Sequence, residues 1–168
     1  MKVLAIDPGY GRCGVAVVEK NGGGPSTSLR TGKEILLYSA CIETPASMDF
    51  PKRLVVVVNE CKRLIKMHSP DCLALEKLYF QTNQKTAMRV AEVRGALINT
   101  AQAAGIEVFE YTPGEVKSAA AGNGSADKKA VARMLHALMK IEKEIQHDDE
   151  YDAIAIAVTH LSRVRLNC

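Results

Sequence analysis

Long apolar runs and paired cysteines are both missing from this sequence. No apolar stretch approaches the roughly 18 residues of a membrane-spanning helix, which argues against an integral membrane protein. The five cysteines are odd in number and form no Cys-x-x-Cys pair, which indicates reduced thiols rather than a zinc site or a disulfide framework. A carboxylate already stands at Asp7, too early for the apolar region of a signal peptide. We therefore expect a cytoplasmic protein.

A strong charge excess is also missing. The chain has 22 Lys and Arg against 19 Asp and Glu, a net charge of +3, which permits a nucleic-acid partner without requiring one. Hydrophobic residues make up 47% and charged residues 24%, as is typical of a globular protein. The length of 168 residues predicts a single domain, residues 1–168, that buries enough surface to need no disulfides.

Apolar runs between turn residues predict five strands, and apolar residues at helical spacing predict five helices. The order βββαβαβααα predicts an α/β fold with a five-stranded mixed sheet flanked by helices. A Gly- and Ser-rich flexible loop over residues 21–33 separates the second and third strands, and residues 162–168 form a tail. Asp49 and Ser125 are the expected N-caps of the first and fourth helices. The predicted strands are 3–6, 13–19, 34–43, 72–75 and 107–111, and the predicted helices are 51–68, 84–104, 113–121, 125–140 and 149 onward.

Acidic residues stand where two buried strands end and where the last helix begins. Asp7 and Glu76 emerge at the same sheet edge if their strands are parallel neighbours, and Asp149 and Asp152 share a helix face. Carboxylates that converge repel one another unless a cation lies among them, and oxygen ligands favour Mg²⁺ or Mn²⁺ over zinc. A lone Asp at a strand end is more often a turn or cap residue. Asp148 also shares the Asp152 face, so either it or Asp149 could be the third ligand or simply a helix cap.

Basic residues and a loop aromatic provide candidate nucleic-acid contacts. Lys and Arg bound to phosphates supply affinity without reading sequence, although each could equally be a solvated surface charge. Tyr79 follows Glu76 by three positions, and a loop aromatic there either stacks on an unpaired base or folds back onto the core. The basic candidates are Arg89, Arg94, Lys117, Lys128, Lys129 and Arg133.

The second long helix is apolar on more than one side. Its apolar residues cover much more than the single stripe that a sheet would bury. We expect one side to meet the sheet and another to meet a second copy of the chain. A two-fold dimer would carry one active site in each copy.

Four segments in this order and spacing resemble the RuvC family, the bacterial Holliday junction resolvases, from residue 3 to about residue 161. The resemblance implies a ribonuclease H-like fold, a homodimer and Mg²⁺-dependent nicking of two strands of four-way DNA junctions. The segments are Val-Leu-Ala-Ile-Asp7-Pro8-Gly9, Ala-Leu-Glu76-Lys-Leu-Tyr79-Phe80, Val-Lys117 with residues 122–128, and the stretch from Asp149 to His160.

The resemblance further implies roles for individual residues. Asp7, Glu76, Asp149 and Asp152 match the metal-binding catalytic carboxylates, which hold two Mg²⁺ per site with Mn²⁺ as a substitute. Tyr79 matches an aromatic that stacks on a base, while Lys117 and Lys128 match basic positions near the scissile phosphate. The implied products are 5′-phosphate and 3′-hydroxyl ends, and the implied setting is homologous recombination and DNA repair alongside the RuvA–RuvB branch-migration complex.

Other functions fit parts of the pattern. An actin-like or sugar-kinase ATPase also has an Asp-x-Gly loop after its first strand, but needs two such domains and a second phosphate loop. A related ribonuclease H-like nuclease could act on another substrate, such as pre-ribosomal RNA. A catalytically inactive DNA-binding protein would not need all four carboxylates. The loop at 21–33 is longer than the tight hairpin of the RuvC family.

Overall fold

A computed structural model of the chain describes residues 1–21, 34–78, 84–122, 124 and 127–164. Tyr79, Ser125 and nearly all of the predicted 21–33 loop lie outside these residues. The elements in chain order are β1 (Lys2–Asp7), β2 (Arg12–Lys20), β3 (Glu34–Glu43), α1 (Phe50–His68), β4 (Cys72–Glu76), α2 (Gln84–Ala103), β5 (Glu107–Tyr111), α3 (Pro113–Ala121), α4 (Lys128–Leu138) and α5 (Asp148–Arg163).

The five strands form one mixed sheet, as the sequence predicts, and their order is β3-β2-β1-β4-β5. β2 is antiparallel to both β1 and β3, while β4 is parallel to β1 and to β5. The turn between β1 and β2 is tight, because a Cβ on Gly9 would overlap the backbone carbonyl oxygen of Arg12. The parallel strands are joined by helices, since a chain must cross the sheet to re-enter it in the same direction.

Each face of the sheet is covered by a different set of helices. On β1, Leu4 and Ile6 pack in the core with α1 and α2, while Val3 and Ala5 pack in the core with α5. Small residues at several strand positions on the α5 side let that helix lie close to the sheet, and residues 153–161 of α5 are all buried. The helix that carries Asp152 therefore has a longer unbroken run of buried residues than any other described helix.

A buried polar group connects α5 to two strands. The Nδ1 atom of His160 lies 2.8 Å from the Tyr111 hydroxyl, and its Nε2 atom lies 3.2 Å from the Cys72 sulfur. Burial lowers the pKa of His160, which favours the neutral ring. A neutral imidazole has one donor and one acceptor nitrogen, so it can satisfy both partners at once.

Helix ends differ in detail from the predictions. α4 begins at Lys128, and its cap is Asp127, whose Oδ1 accepts a 2.7 Å hydrogen bond from the Ala130 amide. Asp49 stands at the N-cap of α1 but makes no side-chain capping bond. α5 continues to Arg163, into the predicted tail. No helix within the described ranges is long and apolar enough to cross a membrane.

Candidate active site

Asp7 and Glu76 lie side by side at one edge of the sheet. β1 and β4 are parallel neighbours with Ile6 opposite Leu75, so the next residue of each strand emerges at the same carboxyl end. This arrangement is the one in which α/β sheets bind ligands. The predicted convergence of these two carboxylates is therefore confirmed by the sheet topology.

The first turn of α5 lies beside Asp7 because β2 carries a glycine there. Gly14 is the β2 residue paired with Asp7. A Cβ on Gly14 would overlap the carbonyl oxygen of Asp149 and lie 2.5 Å from its carbonyl carbon. The missing side chain lets the helix backbone approach the strand, which places Asp149 and Asp152 next to the strand-end carboxylates.

The carboxylates raise one another's pKa values. The pKa of Asp7 rises to about 8, first because the group is buried and then because Asp152, Glu76 and Asp149 repel its negative charge. Burial also raises the pKa of Glu76 and of Asp152, with neighbouring carboxylates adding to the effect in both cases. Buried carboxylates that disfavour each other's ionisation indicate a site built for a cation.

Two lysines border the carboxylates, as the sequence predicts for Lys117 and Lys128. The Lys128 Nζ lies 3.2 Å from Asp148 Oδ2 and 3.7 Å from Asp152 Oδ2. Lys117 and Lys128 both lower the pKa of Glu76. Both lysines line a cleft of about 360 Å³ together with Glu76 and Asp152. The cleft is thus lined by both carboxylates and ammonium groups.

Asp148 and Asp149 occupy different environments. The Asp149 side chain is 23% exposed, and Asp149 is among the carboxylates that raise the pKa of Asp7. The Asp148 side chain is 67% exposed and pairs with Lys128. The enclosed residue at the sheet edge is therefore Asp149.

A divalent cation fits this site by donor type and by charge. All four side chains are oxygen donors, the ligands preferred by Mg²⁺ and Mn²⁺, and a cation would offset the repulsion that raises the Asp7 pKa. As the side chains stand, no three His, Cys, Asp or Glu groups in the described part of the chain converge on one ion position. Asp149 and Asp152 instead face Arg12 and Lys128.

The two predicted arginine contacts on α2 have other partners. Arg89 pairs with Glu92 at 2.9 Å, and its guanidinium lies 4.5 Å from the centre of the Phe50 ring. Arg94 pairs with Glu110 and is only 16% exposed, which leaves little of it free for a phosphate. The DNA contacts of both arginines stay predictions.

Sequence reasoning missed a network of polar side chains that contacts Asp149. Arg12 Nε lies 3.3 Å from Asp149 Oδ2, and Arg12 Nη1 lies 3.3 Å from His147 Nδ1. His147 Nε2 in turn lies 3.0 Å from Glu43 Oε1. The sequence offered one indication of this network: Arg12 begins β2, close to Asp7 in the same hairpin.

Comparison with known proteins identifies the family. The family described as crossover junction endodeoxyribonuclease RuvC matches residues 3–160. This chain belongs to the RuvC family. The RuvC relative from Moorella thermoacetica is 40% identical over 162 residues, 96% of this chain and 92% of the relative. The RuvC relative from Syntrophomonas wolfei is 36% identical over 167 residues, 99% of this chain and 92% of the relative.

A solved RuvC structure confirms the expected fold. Thermus thermophilus RuvC, in complex with a Holliday junction substrate, superposes with a TM-score of 0.87 at 29% identity, covering 99% of this chain and 96% of that one. The resemblance to the RuvC family and the expectation of a ribonuclease H-like α/β fold are therefore both confirmed.

Proposed function

We propose that this RuvC family member resolves four-way DNA junctions at the Asp7 edge of its sheet. It nicks two strands symmetrically and leaves 5′-phosphate and 3′-hydroxyl ends, in homologous recombination and DNA repair. The observation that carries the proposal is the Asp7 carboxyl itself, whose pKa is raised to about 8 by burial and by three neighbouring carboxylates. Family membership supports the substrate, because the matched relatives are named crossover junction endodeoxyribonucleases.

The carboxylates would hold divalent metal, with Mg²⁺ as the cofactor, two ions per site and Mn²⁺ as a substitute. When bound, the metal lowers the pKa of the attacking water and offsets charge on the leaving oxygen. Asp7 is central in the cluster and would bridge the ions. Glu76 would hold one side of the site, and Asp149 with Asp152 the other.

Lys117 and Lys128 would place the DNA. Both line the cleft that contains Glu76 and Asp152, so a phosphate held there lies next to the carboxylates. Ammonium groups contribute affinity that weakens with salt. They also offset the repulsion between the phosphodiester and the acidic residues. Tyr79 remains the proposed stacking residue on the basis of sequence alone.

A homodimer accounts for apolar side chains that remain exposed on the α1 and α2 side of the sheet. Met88 on α2 is 70% exposed and Val55 on α1 is 56% exposed. A two-fold dimer through this side provides two sites for two strands. Sedimentation of the Met88→Glu variant should show monomer where the unchanged protein is dimeric, whereas Met134→Glu on α4 should not change the mass.

The family resemblance also makes the RuvA–RuvB complex the proposed partner.

Cleavage of a labelled synthetic four-way junction tests the function. The protein should cut the junction in Mg²⁺, leave a linear duplex of the same sequence intact, and stop cutting in EDTA. Asp7→Asn should abolish cleavage while keeping junction binding, because it removes a ligand but no phosphate contact. Asp49→Asn, a change of the same kind at an exposed helix start, is the control. Normal cutting by Asp7→Asn would overturn the assignment of the site.

A further inference from the structure

We propose that Arg12 is a positioning residue for metal binding, held in place by His147 and Glu43, and that it fixes the Asp149 carboxylate in the site. The inference rests on the proposed function, since it takes Asp149 to be a metal ligand. Arg12 begins β2, Glu43 ends β3 and His147 precedes α5. None of the three belongs to the motifs described above.

The chemistry of the three side chains determines which atom donates and which accepts in each hydrogen bond of this network. The Arg12 guanidinium has only donors, so the His147 Nδ1 atom at 3.3 Å must be the acceptor. The proton of the neutral ring is then on Nε2, which donates to Glu43 Oε1 at 3.0 Å. Glu43 therefore sets the orientation of the imidazole, and the imidazole sets the orientation of the guanidinium.

The contact with Asp149 uses one oxygen and leaves the other free. Arg12 Nε lies 3.3 Å from Asp149 Oδ2. Asp149 lies among like charges at Asp7 and Asp152, which would drive its side chain outward into solvent. The ion pair with Arg12 opposes that movement, and the Asp149 side chain is 23% exposed although that of Arg12 is 52% exposed. Hydrogen bonds to ligating carboxylates from outside the metal site commonly change metal affinity about 10–100-fold.

A simple counter-ion would behave differently from a positioning residue. If Arg12 only competed with metal for the Asp149 charge, then Arg12→Gln would strengthen metal binding and Arg12→Lys would leave it unchanged. If Arg12 positions Asp149, both variants weaken binding, because lysine keeps the charge but cannot contact Asp149 and His147 together.

The test is calorimetric titration of each variant with Mn²⁺ in the absence of DNA. We expect Arg12→Gln, Arg12→Lys and His147→Phe each to weaken Mn²⁺ binding about tenfold. Glu43→Gln should weaken it less, because the amide oxygen still accepts from His147. Arg63→Gln, which removes an ion pair with Glu60 on α1, is the control and should leave binding unchanged.

Cleavage kinetics provide a second readout. In Arg12→Gln the Mn²⁺ concentration for half-maximal cleavage should rise about tenfold, while the rate at saturating Mn²⁺ recovers. A merely structural loss would lower the rate at every concentration. Adding Arg12→Gln to Asp149→Asn should have no further effect on Mn²⁺ binding.

Three results would overturn the proposal: unchanged or tighter Mn²⁺ binding in Arg12→Gln, unchanged binding in Arg12→Lys, or additive losses with Asp149→Asn. Unchanged binding in Asp149→Asn itself would show that the ligand assignment under the proposed function is wrong, and the inference would fail with it. Weaker binding in Asp149→Asn together with normal binding in both Arg12 variants would overturn the inference alone.

Discussion

Gly14 and Asp149 approach so closely that no side chain fits between them. A Cβ on Gly14 would overlap the carbonyl oxygen of Asp149 and lie 3.2 Å from the Glu150 amide nitrogen. Because Gly14 pairs with Asp7 in the sheet, this contact determines how near the start of α5 comes to the strand-end carboxylates.

Gly14→Ala should therefore damage both stability and cleavage. Overpacking of this kind typically costs about 1–3 kcal/mol, and relief by outward movement of α5 would separate Asp149 from Asp7. Urea unfolding and junction cleavage measure the two effects. Gly11→Ala is the control, because a Cβ there meets nothing within 4 Å. A fully active, fully stable Gly14→Ala protein would contradict the close approach.

Asp149→Asn and Asp148→Asn should separate the two candidate ligands. We expect Asp149→Asn to lose cleavage by a factor of 100 or more, on the order of 3 kcal/mol in activation free energy. Asp148→Asn should stay within a few-fold of normal, because its side chain is 67% exposed and pairs with Lys128. Single-turnover cleavage in Mg²⁺ measures both. The reverse ranking would move the third ligand to Asp148.

The raised pKa of Asp7 predicts how stability changes with pH when metal is chelated. Between its ordinary value of 3.8 and the folded value of about 8, the folded protein holds a proton that the unfolded chain has released. The free energy of unfolding should therefore fall as pH rises through this range, by up to about 1.4 kcal/mol per pH unit, and level off above pH 8 or so. Asp7→Asn should reduce this slope, leaving the part that the raised pKa values of Glu76 and Asp152 contribute, and should exceed the unchanged protein in stability near the top of the range. Urea unfolding in EDTA at a series of pH values checks both expectations.

Lys128→Met should weaken catalysis where Lys62→Met does not. Lys128 lowers the pKa values of Asp7, Glu76 and Asp152, so its loss should leave these groups more protonated and shift the pH profile of cleavage upward. Lys62 on α1 is an exposed lysine with the same charge, so the pair controls for net charge. Identical pH profiles for the two variants would contradict a specific role for Lys128.

Much of the fold follows from local patterns in the sequence. The runs before Asp7 and Glu76 are continuously apolar, which is typical of strands covered on both faces, and both strands are buried at the centre of the sheet. β3 and β5 have the predicted bounds, because turn residues flank them. The fourth helix begins later than predicted, at Lys128, because Asp127 supplies its cap.

The surroundings of the site were harder to predict. The contact between Arg12 and His147 joins residues 135 positions apart. His147 lies in the polar segment before α5. This segment has no apolar periodicity from which its conformation could be predicted. In the sequence, Gly14 looked like an ordinary strand residue. Its role in admitting the α5 backbone is visible only once the position of that helix is known. Such contacts depend on tertiary packing rather than on local preference.

α5 contacts all five strands, and this has a consequence for the order in which the protein becomes active. Asp7 belongs to the first strand to be synthesised, whereas Asp149 and Asp152 belong to the last helix. A nascent chain that still lacks α5 exposes the apolar sheet face that this helix covers, and has only two of the four carboxylates. Synthesis of α5 therefore completes the core and the proposed nuclease site together, so we expect unfinished chains not to cut DNA.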